Sequence, residues 1–197
     1  MPHHNVACEC DAFYCYPISS MTREDTIAVK GFAPVHQAGA GVVEYLQQEA
    51  YRDEQKGLMR TYLVRAKYTD EFVGFFSLKA GLVSTRESDN GGESSFDTLP
   101  SVEVAYLAID QHFRDRYPET EGCGLIVFEQ LIMPIIRRAA GLIGISRVYI
   151  FSLDEERLVE NYRGYGFLSL SREQEESLHR RLKPRGLRGC KFMYMKL

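Results

Sequence analysis

No apolar run in this chain reaches the ~18 residues that a bilayer-spanning helix needs. The longest, Leu125 to Ile136, is interrupted by Glu129, Gln130 and Pro134, so no membrane partner is expected. The N-terminus, Met1-Pro2-His3-His4-Asn5, lacks the charged-then-apolar layout of a secretory leader. Cysteine is scarce and odd in number: Cys8, Cys10, Cys15, Cys123 and Cys190 make five, too scattered for a disulfide framework. A reduced, cytoplasmic protein is therefore expected. His3 and His4 beside Cys8, Cys10 and Cys15 do not have zinc-knuckle spacing, and no second Cys or His pair follows, so no metal is expected. An excess of one charge is also missing. The 24 Lys and Arg against 27 Asp and Glu leave a net charge of −3, without the global pull toward nucleic acid that a basic chain exerts. What remains is ordinary globular composition, 45% hydrophobic and 26% charged over 197 residues, which suits one domain able to bury its own core without a covalent staple.

Along the chain, Val42, Val43, Leu46 and Ala50 recur at helical spacing, with Gly57 as a stop, which predicts an amphipathic helix from about Gly41 to Lys56. Thr61 to Tyr68 and Phe72 to Val83 are aromatic and β-branched runs around the short link Thr69-Asp70-Glu71, the pattern of a hairpin. Ser84 to Ser101 is polar, with Asn90-Gly91-Gly92 and Pro100, and reads as a long loop. Val102 to Ile109 is apolar on both faces except for Glu103, which suits a central strand. A polar loop from Gln111 to Glu121 leads to Gly122-Cys123-Gly124, which opens a long apolar helix to about Ile143 that Pro134 should kink. Arg147 to Leu153 reads as a buried strand. Ser152-Leu153-Asp154-Glu155 has the pattern of a capping box for a helix to about Tyr165, with Gly166 just past its end. Phe167 to Leu170 is a short strand, Glu173 to Leu182 a short polar helix, and Lys191 to Leu197 a closing strand. The sum is an α/β fold, a mixed sheet with helices on its faces and no internal repeat.

The glycine turn carries the clearest chemistry. A glycine-flanked turn at a helix start presents backbone N–H groups at the positive end of the helix dipole, where phosphate binds. Neither a P-loop nor a dinucleotide fingerprint is present, because no Gly-Lys-Ser/Thr and no third glycine follow. Three segments in this order, Glu103-Val104-Ala105-Tyr106-Leu107-Ala108-Ile109, Gly122-Cys123-Gly124 and Asn161-Tyr162-Arg163-Gly164-Tyr165-Gly166-Phe167, resemble the GNAT superfamily of acetyl-CoA-dependent N-acetyltransferases. The resemblance covers roughly Thr61 to Leu197. It leaves residues 1–35 outside, within a single acyltransferase domain of residues 1–197.

That resemblance implies a GNAT-type, mostly antiparallel sheet with a splayed central strand and helices on both faces. It implies acetyl-CoA as co-substrate, its pantetheine arm on the backbone of Leu107, Ala108 and Ile109. Its pyrophosphate would lie on Gly122, Cys123 and Gly124, aided by Arg114 or Arg116. Where the family usually carries Gln or Arg three residues before the first glycine, this chain has Glu119, in a loop that looks about five residues longer than usual. Glu103 is implied as general base, since a protonated amine is no nucleophile, and Tyr162 as the acid that protonates the departing thiolate. Each has a plainer reading: Glu103 as a strand residue in an ion pair, Tyr162 as core. Cys123 as a covalent nucleophile lacks an oriented histidine, His112 having no third member behind it.

The stretch His179-Arg180-Arg181-Leu182-Lys183-Pro184-Arg185-Gly186-Leu187-Arg188 is basic in an otherwise acidic chain. It reads as a solvated surface or as attraction to an acidic acceptor, coenzyme phosphates or RNA. The function expected is acetyl transfer from acetyl-CoA directly to a primary amine. The alternatives are a non-catalytic acyl-CoA-binding module and a toxin acetylating aminoacyl-tRNA. Acetyl-CoA and an amine acceptor are the partners implied; nucleic acid is the lesser alternative and a homodimer is left open.

Overall fold

Aromatic and β-branched side chains favour the pleated, half-buried surface of a sheet, and they mark most strands here. The computed structural model describes residues 5–35, 40–90, 93–171, 175 and 190–197. Its strands are β1 (Cys8–Glu9), β2 (Phe13–Pro17), β3 (Arg60–Ala66), β4 (Phe72–Asn90), β5 (Glu93–Ile109), β6 (Arg147–Leu153), β7 (Leu168–Ser169) and β8 (Cys190–Lys196). They form an eight-stranded sheet in the order β1-β2-β3-β4-β5-β6-β8-β7. The β1–β2, β2–β3, β3–β4, β6–β8 and β7–β8 pairs are antiparallel and β5–β6 is parallel. This is the mixed, mostly antiparallel α/β sheet expected. The stretch before residue 36 supplies β1 and β2, and β2 pairs along its length with β3.

The described residues of the polar segment from Ser84 to Ser101 are strand rather than the expected loop. β4 continues through it to Asn90 and β5 starts at Glu93. Backbone pairing with a neighbouring strand satisfies the N–H and C=O groups whatever the side chains are, so a paired strand can lack apolar alternation.

The chain forms two compact units, Met1–Lys79 with Val104–Arg138 and Ala80–Glu103 with Ala139–Leu197. In the first, helix α1 (Arg23–Gly31) starts on a capping box in which Thr22 and Asp25 bond each other's backbone N–H. This short helix matches no earlier expectation, although Thr22-Arg23-Glu24-Asp25 carries the signal for it. The helix expected from Gly41 to Lys56 is present as α2 (Ala40–Glu44), a π-helical turn (Tyr45–Glu49) and α3 (Ala50–Gln55), and Gly57 at φ +68° ends it. Tyr16, Ile18, Phe32, Tyr45, Leu46, Leu63 and Phe75 form the buried core of this unit.

The expected loop after β5 contains helix α4 (Gln111–Arg116) and a 3-10 turn (Pro118–Thr120). Asp110 caps α4 through the His112 N–H, and Phe113 buries itself on its inner face. After the glycine turn come α5 (Cys123–Val127), a π-helical turn (Phe128–Ile132) and α6 (Met133–Ala140). Pro134 lacks an N–H, so the Gln130 carbonyl four residues earlier loses its helical donor. The π turn falls at that place, and the Cys8 thiol donates to the Gln130 carbonyl at 3.5 Å.

In the second unit, β6 and β8 pair over their full lengths, and Val83, Tyr149 and Phe192 make the core with Phe151, Leu170 and Tyr194. Helix α7 (Glu156–Gly164) lacks the expected capping box: Glu155 is its N-cap residue and makes no side-chain cap bond. β6 runs on to Leu153, so Ser152 is a buried strand residue whose hydroxyl donates to the Leu153 carbonyl at 2.9 Å. Of the helix expected over Glu173 to Leu182, only Glu175 lies among the described residues; its carboxylate accepts the Phe192 N–H at 2.8 Å. The basic run from His179 to Arg188 also lies outside the described residues.

Candidate functional site

The end of β5 is built by a close backbone approach. Gly74 of β4 has φ +155°, and a Cβ placed on it would stand 2.2 Å from the Ala108 carbonyl oxygen. Only glycine lets the chain pass there. Leu107, Ala108 and Ile109 follow, all half-buried. The Asp110 N–H then donates to the Val73 carbonyl at 2.9 Å. The buried Asp110 carboxylate accepts the N–H groups of Ala33 at 3.1 Å and His112 at 3.4 Å. Burial pushes this carboxyl above the usual range, and those backbone N–H groups partly offset the effect.

Gly122 closes the next turn in the left-handed region, at φ +87°. Nothing stands within 4 Å of where its Cβ would be, so the glycine serves the backbone angle and leaves the space open. It is the N-cap residue of α5, whose first N–H groups lack partners within the helix. Cys123 is buried, and burial pushes its thiol up while the Arg114 charge draws it down. That charge reaches the turn from a guanidinium with no acid partner among the described residues. Arg116 is placed differently: it is exposed and ion-paired with Glu71. Glu119 and Glu121 are exposed. An open turn with a half-buried arginine charge beside it fits an anion.

Glu103 stands on β5 at the end of the parallel register with β6, which runs Ser101 with Arg147, Val102 with Val148 and Glu103 with Tyr149. Glu103 is half-buried. Its Oε2 accepts the Tyr149 hydroxyl at 3.0 Å. Tyr149 is 3% exposed, and its ring lies against Phe151 and Phe192. Its hydroxyl reaches Glu103 past Gly81, where an added Cβ would stand 2.2 Å from the oxygen. Sequence reasoning missed Tyr149, Gly81 and Gly74. The only available signal was a glycine inside a strand pattern, which marks a close approach without saying to what.

Tyr162 stands on α7, half-buried, its ring edge-on to Tyr165 and Phe167 at 5.6 Å and 5.8 Å. Burial, and then the Tyr165 hydroxyl, push its phenol up, so it stays protonated. Its hydroxyl takes no hydrogen-bond partner among the described residues. Among the described residues no group of three His, Cys, Asp or Glu stands together to hold a metal, and no helix is long and apolar enough to cross a membrane.

No family model matches the chain. Solved structures do match its fold. A Tyr-to-Phe variant of the toxin AtaT aligns over 96% of this chain and 92% of its own at 15% identity, with a TM-score of 0.64. AtaT complexed with acetyl-methionyl-tRNAfMet aligns over 93% and 94% at 14% identity, with a TM-score of 0.61. A further structure of that system, AtaTR, is bound with acetyl-CoA. A GNAT-family acetyltransferase from Staphylococcus aureus Mu50 aligns over 94% and 99% at 12% identity, with a TM-score of 0.51. The chain therefore has the GNAT acetyltransferase fold, and the alignments cover more than nine-tenths of its length.

Proposed function

We propose that this protein is an N-acetyltransferase that moves an acetyl group from acetyl-CoA directly to a primary amine. The observation that carries the reading is the end of the β5–β6 register at Glu103, the one charged residue of Val102 to Ile109. It supports reading this carboxylate as the base, on the strand whose next residues would meet the pantetheine arm.

Acetyl-CoA, when bound, supplies an acetyl group activated as a thioester. The turn at Gly122, Cys123 and Gly124, with Arg114 beside it, holds the phosphates. The backbone of Leu107, Ala108 and Ile109 pairs with the pantetheine amides. Arg116 drops out of the phosphate set in this reading, because Glu71 already engages it. Glu103 takes a proton from the acceptor ammonium so that the neutral amine can attack. Tyr162 gives its hydroxyl proton to the leaving sulfur, and the proton that the attacking nitrogen sheds restores the phenol. The C–N bond forms as the C–S bond breaks, with no acyl-enzyme.

Calorimetry with acetyl-CoA, followed by thiol release across a panel of amines, tests this. Binding is expected in the wild type and weaker binding in Gly124→Asp, which adds a carboxylate at the helix start. No binding at millimolar acetyl-CoA would overturn the proposal. Binding without thiol release on any amine would leave a non-catalytic acyl-CoA module. A narrower reading has its own support: AtaT has been solved with acetyl-methionyl-tRNAfMet on this same fold. Aminoacyl-tRNA therefore belongs in the panel. If it is the acceptor, changing Arg180, Arg181 and Arg185 to Gln raises its KM and flattens the salt dependence. Unchanged acceptor kinetics at low salt would assign that run to plain surface.

A further inference from the structure

We propose that Tyr149 is a positioning residue for Glu103, and that Gly81 exists as glycine to admit it. This rests on the reading of Glu103 as base. The Tyr149 hydroxyl donates to Oε2 of Glu103 at 3.0 Å. Its ring cannot swing away, because it is buried against Phe151 and Phe192, with centroids 5.9 Å and 5.4 Å apart. On its other side the hydroxyl and ring atoms lie 2.2–2.8 Å from the Cβ that any other residue at position 81 would carry. A donor held by packing on one side and by a missing side chain on the other fixes which way the carboxylate faces.

Burial, and then the charge and hydrogen bond of Glu103, push the Tyr149 phenol far above its ordinary range. Tyr149 is thus a protonated donor to Glu103 at neutral pH. Cys190 of β8 also feels Glu103. Its thiol is pushed up by burial first, then by Glu175 and Glu103. Freezing the carboxylate rotamer in advance is what proximity catalysis requires, since a misplaced base loses rate while the substrates still bind.

The test is a double-mutant cycle on kcat, with acetyl-CoA and the fastest acceptor of the panel above. Tyr149→Phe keeps the ring packing and removes only the hydroxyl. It is expected to lower kcat about tenfold, the scale of one lost hydrogen bond to a charged group. KM for acetyl-CoA should hold. In a Glu103→Gln background the same change should cost less than about twofold, because the base it positions is already gone. Gly81→Ala, which crowds the hydroxyl, should reproduce the loss. Equal losses in both backgrounds, or full kcat in Tyr149→Phe while Glu103→Gln is slow, would overturn the positioning role alone. Full kcat in Glu103→Gln would overturn the base reading and the positioning role with it. One measurement needs no turnover: the Tyr149 hydroxyl proton should give an exchange-protected NMR resonance that Tyr149→Phe removes and Glu103→Gln moves. Its absence from the wild type would overturn the geometry itself.

Discussion

At the scale of single residues, the proposed chemistry divides between two groups whose settings differ. Glu103 is half-buried with a phenol held on it, so its carboxylate is oriented. Tyr162 is held by two aromatic rings, its hydroxyl without a partner among the described residues. A proton donor for a departing thiolate must itself be protonated, as this phenol is. A well-placed acid or base contributes about 10²–10⁴-fold. Glu103→Gln and Tyr162→Phe are each expected to lower kcat by about that factor, with acetyl-CoA affinity by calorimetry nearly kept. The pH profile separates the two. In Glu103→Gln the rate should keep climbing toward the amine's own pKa, because free neutral amine becomes limiting. In Tyr162→Phe the climb should resemble that of the wild type. A Glu103→Gln enzyme with wild-type kcat and profile would assign the carboxylate a structural role.

At the scale of elements, two glycines make opposite demands, and stability measurements can tell them apart. Gly122 has φ +87° with open space around it, so Gly122→Ala carries only the cost of the left-handed angle, ~1–2 kcal/mol. Gly74 has φ +155° and would drive a Cβ to 2.2 Å from a backbone oxygen that cannot step aside. Gly74→Ala adds that clash to the angle, and chemical denaturation should show it losing more than Gly122→Ala. Equal losses would mean that β4 and β5 part easily at Ala108. The contrast also explains what the sequence made legible. Gly122, before an apolar helical run, has a local meaning readable from its neighbours, as do Gly57 and Gly166. Gly74 and Gly81 owe theirs to residues 34 and 68 positions away, Ala108 and Tyr149, and no local pattern carries such a distance. The same limit hid the strands through Asn90 and Glu93. Their backbone groups are satisfied by a neighbouring strand, so the polar side chains between Ser84 and Ser101 gave no sign of extension. It misplaced the start of α7 as well, because Ser152 belongs to a strand whose partner, β8, lies far along the chain.

At the scale of the whole molecule, acid stability should turn on a buried ion pair far in sequence from the proposed chemistry. Asp25 is fully buried, and its carboxylate accepts Arg65 and the Tyr16 hydroxyl, the latter at 2.6 Å. It also accepts the N–H and hydroxyl of Thr22 at 2.7 Å and 2.9 Å. Burial alone would raise its pKa, but the bonds from Tyr16, Thr22 and Arg65 outweigh burial and hold it below the usual range. A folded-state pKa below the unfolded value gives stability that is present above the unfolded value of ~3.9 and lost as pH falls through the lower folded one. Asp110 has the opposite sign. Its raised carboxyl favours the fold below its unfolded pKa and loses that advantage as pH rises. Removing one partner of a buried pair typically costs about 3–5 kcal/mol, so Asp25→Asn should melt well below the wild type at pH 7. That gap should close as pH falls below about 4, where the unfolded wild-type chain takes up a proton at this carboxyl that the folded state still excludes. The melting difference between Asp110→Asn and the wild type should move the other way, in the variant's favour as pH rises. Thermal melts of the two variants and the wild type from pH 3 to pH 8 test both signs at once. A gap for Asp25→Asn that is constant with pH would show that the pair with Arg65 stabilises the fold through shape and hydrogen bonding, with no contribution from the carboxylate's charge.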